Sequence, residues 1–380
     1  MKVSPDGNGA DCFNSIASRR LLNRRSSLNG WGSTRGPSNP RVKKRTGTRN
    51  GRQMMASRLT LYIVVALGTL LGSLGAEAQQ AERVARIAFL STTSSPDSPT
   101  TAAFRQELQK LGYVEGRNII IEWRWGAGTT ERFPEFAAEV VKLNVDVIVA
   151  ANDAAGRAAQ QATTRIPIVA ISSDPVGSGL VATLARPGGN LTGLTMQGTD
   201  LSAKRLQLLK ELVPNLSRVA LLVDTNDQSY RQALKEIEIA ARTLGAQLRI
   251  HEVSNPSELS GAFAIIAKEH VGAVLHIGGT MLYANRAEVA EQALKNRLPM
   301  MCGVRENVDA GCLMSYSASL TGRFRRAAYI VDQILKGTKP ADLPIEQPTQ
   351  FELVLNLKTA RMLGLKIPQS VLGRADEVIR

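Results

Sequence analysis

The side chains best suited to chemistry in this 380-residue chain are three histidines, three cysteines and its carboxylates, and none is spaced for catalysis. His251, His270 and His276 form no H-E-x-x-H pair, and Cys12, Cys302 and Cys312 form no C-x-x-C, so a zinc centre has no support. His270 precedes Gly272 at a helix end, where a basic ring suits the helix dipole. His251 and His276 stand at strand ends; the first reading is a ring satisfied within the fold, the alternative a place in a cleft. Cys302 and Cys312 read as two buried thiols near strand ends, although an oxidising compartment would let them pair. The chain has neither the G-x-S-x-G elbow of a hydrolase nor a G-x-x-x-x-G-K-[ST] loop, so it is not itself an ATPase. Gly177-Ser178-Gly179-Leu180-Val181-Ala182 fits a relaxed dinucleotide fingerprint, but the turn Asp174-Pro175-Val176 stands where the motif needs a strand. It reads instead as a loop-to-helix transition. No carboxylate pair can be placed across a cleft from sequence, so the expectation is a protein that is not an enzyme and has no metal or cofactor.

The formal charge of +14 points toward nucleic acid until it is located. Thirteen of the 47 Lys and Arg lie in residues 1–58, against only Asp6 and Asp11. The remainder is nearly balanced, and nucleic-acid binding is set aside. Residues 1–53 are rich in Arg, Asn, Ser and Gly and read as a disordered basic extension ahead of a conventional start at Met54 or Met55. Residues 54–78 read as a signal peptide. It has a basic start (Arg58), an apolar core from Leu59 to Leu74, and Ala76-Glu77-Ala78 as the cleavage pattern.

Positioning any functional side chain falls to the body from Arg83 onward, which alternates apolar runs with helical periodicity. Strands are expected at Val84–Leu90, Asn118–Trp123, Asp146–Ala150 and Ile168–Ile171. Helical faces carry Phe104, Leu108 and Leu111, then Phe133, Phe136 and Val140, then Ala154–Ala162. The grammar restarts after Pro214, with strands at Arg218–Val223, Gln247–His251, Ala273–Ile277 and Pro299–Cys302. Asn255-Pro256-Ser257-Glu258 reads as a helix cap. Arg86-Ile87-Ala88 and Arg218-Val219-Ala220 stand 132 residues apart, as do Arg165-Ile166-Pro167 and Arg297-Leu298-Pro299. This offset implies two similar α/β lobes, whose strand C-terminal ends would face a shared cleft.

At Asp174-Pro175-Val176-Gly177-Ser178-Gly179 and Ala185-Arg186-Pro187-Gly188-Gly189-Asn190-Leu191-Thr192-Gly193 the chain resembles the ABC-transporter substrate-binding proteins that include tryptophan-binding TrpX-like members. Leu111-Gly112-Tyr113-Val114-Glu115-Gly116, Gly311-Cys312-Leu313-Met314-Ser315-Tyr316 and Lys336-Gly337-Thr338-Lys339-Pro340 extend the resemblance over nearly all of 83–380. It implies a type I periplasmic-binding fold: two doubly wound parallel-sheet lobes joined by a three-crossing hinge. Lobe 1 would be 83–193 plus 318–337, lobe 2 would be 194–314 plus 345–380, and the crossings would fall near Gly193–Gln197, Leu313–Ser317 and Pro344–Glu352. The implied function is periplasmic capture of a small polar organic solute, such as an amino acid, by a monomer that serves ABC permease and ATPase subunits. The alternative is a ligand-sensing subunit for a membrane receptor. Strand-end logic on this fold selects Ser94, Ser95, Asn152, Asp153 and Ser172 as ligand-binding candidates. It adds Asp174, Gln197, Asn226, Thr280 and Glu306. Ser and Asn supply uncharged hydrogen bonds, and Asp can meet an ammonium. Competing structural roles are a helix cap for Asn152 or Asp153, turns for Asp174 and Asn226, and packing for Trp123 and Trp125. Relatives often carry a small pair such as Thr-Pro in place of Asn152-Asp153, and a second Gly in place of Cys312, so no relative's ligand transfers.

Overall fold

The computed structural model describes residues 84–93, 97–198, 200–227 and 230–380; the expected basic extension and signal peptide, and the candidates Ser94 and Ser95, lie outside these. The first run of alternation is β1 (Ala85–Ser91), α1 (Pro99–Lys110), β2 (Ile119–Trp125), α2 (Phe133–Lys142), β3 (Val147–Ala150), α3 (Asp153–Ala162), β4 (Ile168–Ser172) and β5 (Leu191–Thr195). Its strands pair in the order β2-β1-β3-β4-β5, all parallel. Both faces of this sheet are covered, which is why its strands read as unbroken apolar runs. On β1, Ile87 and Phe89 pack with Phe104 and Leu108 on one side, while Ala88 and Leu90 pack with Phe136 and Val140 on the other.

The second run is α4 (Ser202–Leu212), β6 (Arg218–Asp224), α5 (Tyr230–Leu244), β7 (Gln247–Val253), α6 (Leu259–Lys268), β8 (Ala273–Ile277), α7 (Thr280–Ala284), α8 (Arg286–Lys295), β9 (Met300–Cys302), α9 (Arg305–Asp309) and β10 (Met314–Ser317). After it come α10 (Leu320–Leu335), β11 (Glu352–Asn356), α11 (Leu357–Met362), α12 (Gln369–Leu372) and β12 (Glu377–Ile379). The second sheet runs β12-β11-β10-β9-β8-β6-β7, antiparallel only between β10 and β11. Its β7-β6-β8-β9-β10 portion repeats the order of the first sheet, so the lobes share one topology.

Three connections pass between the lobes: after β5, after β10 and after α10. Helix α10 returns to the first lobe, where Phe324 and Val331 join the core beneath α1. The connections are tied to one another. Glu346 donates its N–H to Gly193 O at 2.9 Å and accepts from Thr195 N at 3.0 Å. Its carboxylate takes two bonds from Arg326, at 2.8 and 2.7 Å.

Several sequence expectations need correction. Strands β5, β10, β11 and β12 were not anticipated as strands; they are short, and β5 carries Gly193, which no propensity favours in a strand. The Gly177-Ser178-Gly179 segment leads into turns and irregular chain rather than a helix, with Leu180 and Val181 buried as anchors. The cap expected at Asn255-Pro256-Ser257-Glu258 does form: Pro256–Glu258 is a 3-10 turn leading into α6, and the Glu258 carboxylate reaches back to Ser254 N at 2.6 Å. Cys302 and Cys312 are not separate thiols but a disulfide, because β9 and the start of β10 lie side by side and bring their Cα atoms to 6.5 Å.

Candidate functional site

A cavity of about 160 Å³ opens where the strand C-terminal ends of the two sheets meet. In each lobe the chain leaves neighbouring strands in opposite directions at β1/β3 and at β6/β8, and the loops there form its walls. The first lobe supplies hydroxyls from Ser91, Thr92, Thr93, Thr100 and Thr130. Thr100 sits in the first turn of α1, which Ser98 caps by accepting from Thr101 N at 3.2 Å. At the start of α3, Asn152 Oδ1 accepts from Ala155 N at 2.9 Å, the capping role weighed above.

Asp153 follows it and is held by Ser172 Oγ–H, by Ser173 N–H at 3.0 Å and by Ser178 Oγ–H at 3.0 Å. Burial raises its pKa and the charge of Asp227 raises it further, up to about 6, against the lowering pull of those three bonds. Asp227 comes from the second lobe and lines the same cavity.

The second lobe's wall carries buried charged and ring side chains, Asp224, His276 and Arg205. Asp224, at the end of β6, accepts from Asn226 N and Met281 N, both at 3.0 Å, and burial raises its pKa. Gly279 crosses directly over it at φ 96; a Cβ there would stand 2.2 Å from the Asp224 Cβ. The His276 ring donates from Nε2 to Gly278 O at 3.1 Å. Burial, with the charge of Arg205, lowers its pKa to about 4, so the ring is neutral. Arg205 on α4 is buried against three carbonyls: Tyr316 O at 2.8 Å, Gly198 O at 3.1 Å and Gly303 O at 3.1 Å. Burial lowers its pKa to about 10. Ile171, Met196, Tyr283, Leu320 and Phe324 give the cavity an apolar lining.

Of the residues selected from sequence, Asn152, Asp153, Ser172, Asn226 and Thr280 stand in this wall. Asn226 also serves its turn, donating from Nδ2 to Ser254 O at 2.7 Å. Three candidates stand elsewhere. Asp174 closes a turn by accepting from Gly177 N at 2.8 Å. Gln197 donates to Gln347 Oε1 at 2.9 Å, linking the first and third connections. Glu306 is buried in α9 behind the wall, near Tyr283, whose pKa is raised by burial and further by the Glu306 charge. His276 takes the cleft alternative, whereas His251 pairs with Glu269 at 3.1 Å outside it. Trp123 and Trp125 stack with ring centroids 5.2 Å apart and pack on Phe89, as structural residues do.

Sequence reasoning missed Asp227, Arg205, Asn307 and the hydroxyls of Ser91, Thr92, Thr93, Thr100 and Thr130. Asp227, three residues past the end of β6, was within reach of strand-end logic. Arg205 was not, because nothing local says that α4 docks with that residue inward.

A family model described as ABC transporter substrate binding protein matches residues 84–379. A tyrosine-binding protein of Clostridioides difficile (strain R20291) is 23% identical over 264 residues, which is 69% of this chain and 76% of its own length. Among solved structures, a conserved domain protein from Vibrio cholerae O1 biovar El Tor is 25% identical with a TM-score of 0.72, covering 78% of this chain and 99% of its own. An ABC domain in complex with L-Trp from Streptococcus pneumonia also has a TM-score of 0.72, at 24% identity and the same coverage. These solved structures have the same two-lobed fold.

Proposed function

Because the chain belongs to the family of ABC transporter substrate binding proteins, we propose that it is the periplasmic solute-binding component of an ABC importer and that its solute is an amino acid. The observation that carries this reading is a carboxylate from each lobe in one cavity, Asp153 and Asp227, close enough for one charge to raise the pKa of the other. Two carboxylates brought together by closure repel; a ligand ammonium between them removes that cost only when the lobes are shut. Capture and closure are thereby coupled, and no bond is made or broken.

The hydroxyls of Ser91, Thr92, Thr93 and Thr100, grouped near the start of α1, offer donors to the ligand carboxylate. The apolar lining of Ile171, Met196, Leu320 and Phe324 suits a hydrophobic side chain, in keeping with relatives that bind tyrosine and L-Trp. Export rests on the signal-peptide pattern of residues 54–78, and the Cys302–Cys312 disulfide is at home in an oxidising compartment. Permease and ATPase subunits complete the proposed importer.

The test is a thermal-shift screen of the purified protein against all common amino acids and against analogues lacking the amine. A ligand at a hundred times its Kd stabilises by about 2.7 kcal/mol, enough for a clear shift. Stabilisation by an amino acid but not by its amine-free analogue is expected; no shift with any amino acid would overturn the proposal.

A further inference from the structure

Two side chains in the second lobe's wall carry buried polar atoms that have no hydrogen-bond partner among the described residues. Asn307, in α9, is 1% exposed, and neither its Oδ1 nor its Nδ2 has a hydrogen-bond partner among the described residues. Its backbone is fully used, donating to Val304 O at 3.2 Å and accepting from Cys312 N at 3.0 Å, so the side chain is not needed to hold the turn. His276 is 3% exposed, and its Nε2–H is spent on Gly278 O. The ring is neutral, so Nδ1 is a bare acceptor, and it too lacks a partner among the described residues. A buried polar group left unsatisfied costs roughly 1–3 kcal/mol, and native chains keep few of them. Asp224, Asn226 and Arg205 in the same wall are all hydrogen-bonded within the protein.

We infer that His276 and Asn307 form a subsite for a neutral group of the solute that both donates and accepts a hydrogen bond, a hydroxyl or a carboxamide, carried away from its ammonium. The inference rests on the reading of the cavity as the solute site. A hydroxyl gives its proton to His276 Nδ1 and receives an N–H from Asn307; a carboxamide does the same with two atoms. A carboxylate brings only lone pairs and meets the lone pair of His276. An ammonium brings only donors, leaves the Asn307 N–H groups unsatisfied, and feels the positive charge of Arg205 nearby.

Calorimetric titration of the purified protein with two matched pairs, tyrosine against phenylalanine and glutamine against glutamate, tests this. In at least one pair the hydroxyl or carboxamide member binds at least about tenfold tighter. Asn307→Leu brings that ratio below about twofold, and without ligand the variant melts no lower than the unaltered protein, because an orphaned amide has been removed. If Asn307→Leu does not yield folded protein, Asn307→Ala and His276→Phe carry the same comparison. Equal affinities within each pair, or a ratio that survives these substitutions, overturn the subsite. Binding of other amino acids but none of these four also overturns it, leaving the capture reading intact. No binding of any amino acid overturns the capture reading itself.

Discussion

In the first lobe the helix after the third strand is capped by its neighbour: Asn152 accepts from Ala155 N, three residues on, at 2.9 Å. In the second lobe the matching helix, α7, has no side-chain cap of its own; Met281 N donates at 3.0 Å to Asp224, which arrives from the end of β6, 57 residues earlier. Gly279 makes this possible, since any side chain there would collide with Asp224. The two walls thus do the same job with different dependence on the tertiary fold. The first combines a local cap at Asn152 and hydroxyls with the longer-range bonds from Ser172, Ser173 and Ser178 that hold Asp153. The second rests on Asp224 and Arg205, whose backbone partners Met281, Gly303 and Tyr316 come from other elements and are in place only when strands, helices and connections have assembled.

The sharpest way to break this contrast is Arg205→Met, which orphans the buried carbonyls of Gly198, Gly303 and Tyr316. A loss of about 4 kcal/mol in denaturant unfolding is expected, larger than for any single substitution among the first lobe's hydroxyls. Asp227→Asn comes next: a roughly hundredfold loss of amino-acid affinity by calorimetry, with little loss of stability, because the repulsion on Asp153 is relieved. Gly279→Ala should cost about 2 kcal/mol through its positive φ and the contact with Asp224, whereas alanine at an ordinary exposed loop position costs almost nothing.

The pH dependence of the ligand-free protein isolates Asp153. Its pKa is raised from 3.8 to about 6, so as pH rises the unfolded chain sheds this proton first. Stability on this account is greatest below about 4, falls between about 4 and 6, and is flat above. Asp224 and Glu306, also raised by burial, act in the same direction, while His276, lowered to about 4, acts in the opposite one. The measurement is therefore the difference between the unaltered protein and Asp153→Asn across this window. A difference that grows in favour of the variant as pH rises is expected; a flat one would show that burial and the charge of Asp227 together do not raise the pKa of Asp153. The smallest effect belongs to Asn152→Ala, about 1 kcal/mol for a lost helix cap, read from the unfolding midpoint.

Much of the fold was legible because its signals are local. The apolar runs of β1 and β6 and the offset between Arg86 and Arg218 state two similar lobes without any contact being known. Asp153 and Asn226 were within reach for the same reason: the end of a parallel strand is a known place in this architecture. Strand β5 was not legible, since Leu191–Thr195 carries Gly193 at its centre. That glycine has φ 144, and a Cβ on it would come within 1.9 Å of Ala170 O, so it is there to let β5 lie against β4.

What the sequence determined by itself is the class of architecture, the duplicated lobes and the loops that face the cleft, because periodicity and turn chemistry act over a few residues. The tertiary structure alone decided the rest. The Cys302–Cys312 bridge depends on two strands lying side by side. The place of Arg205 depends on how α4 docks, and the encounter of Asp153 with Asp227 on how the lobes meet. Distances between residues far apart in the chain carry the charge and hydrogen-bonding of a binding site, and no local pattern encodes them.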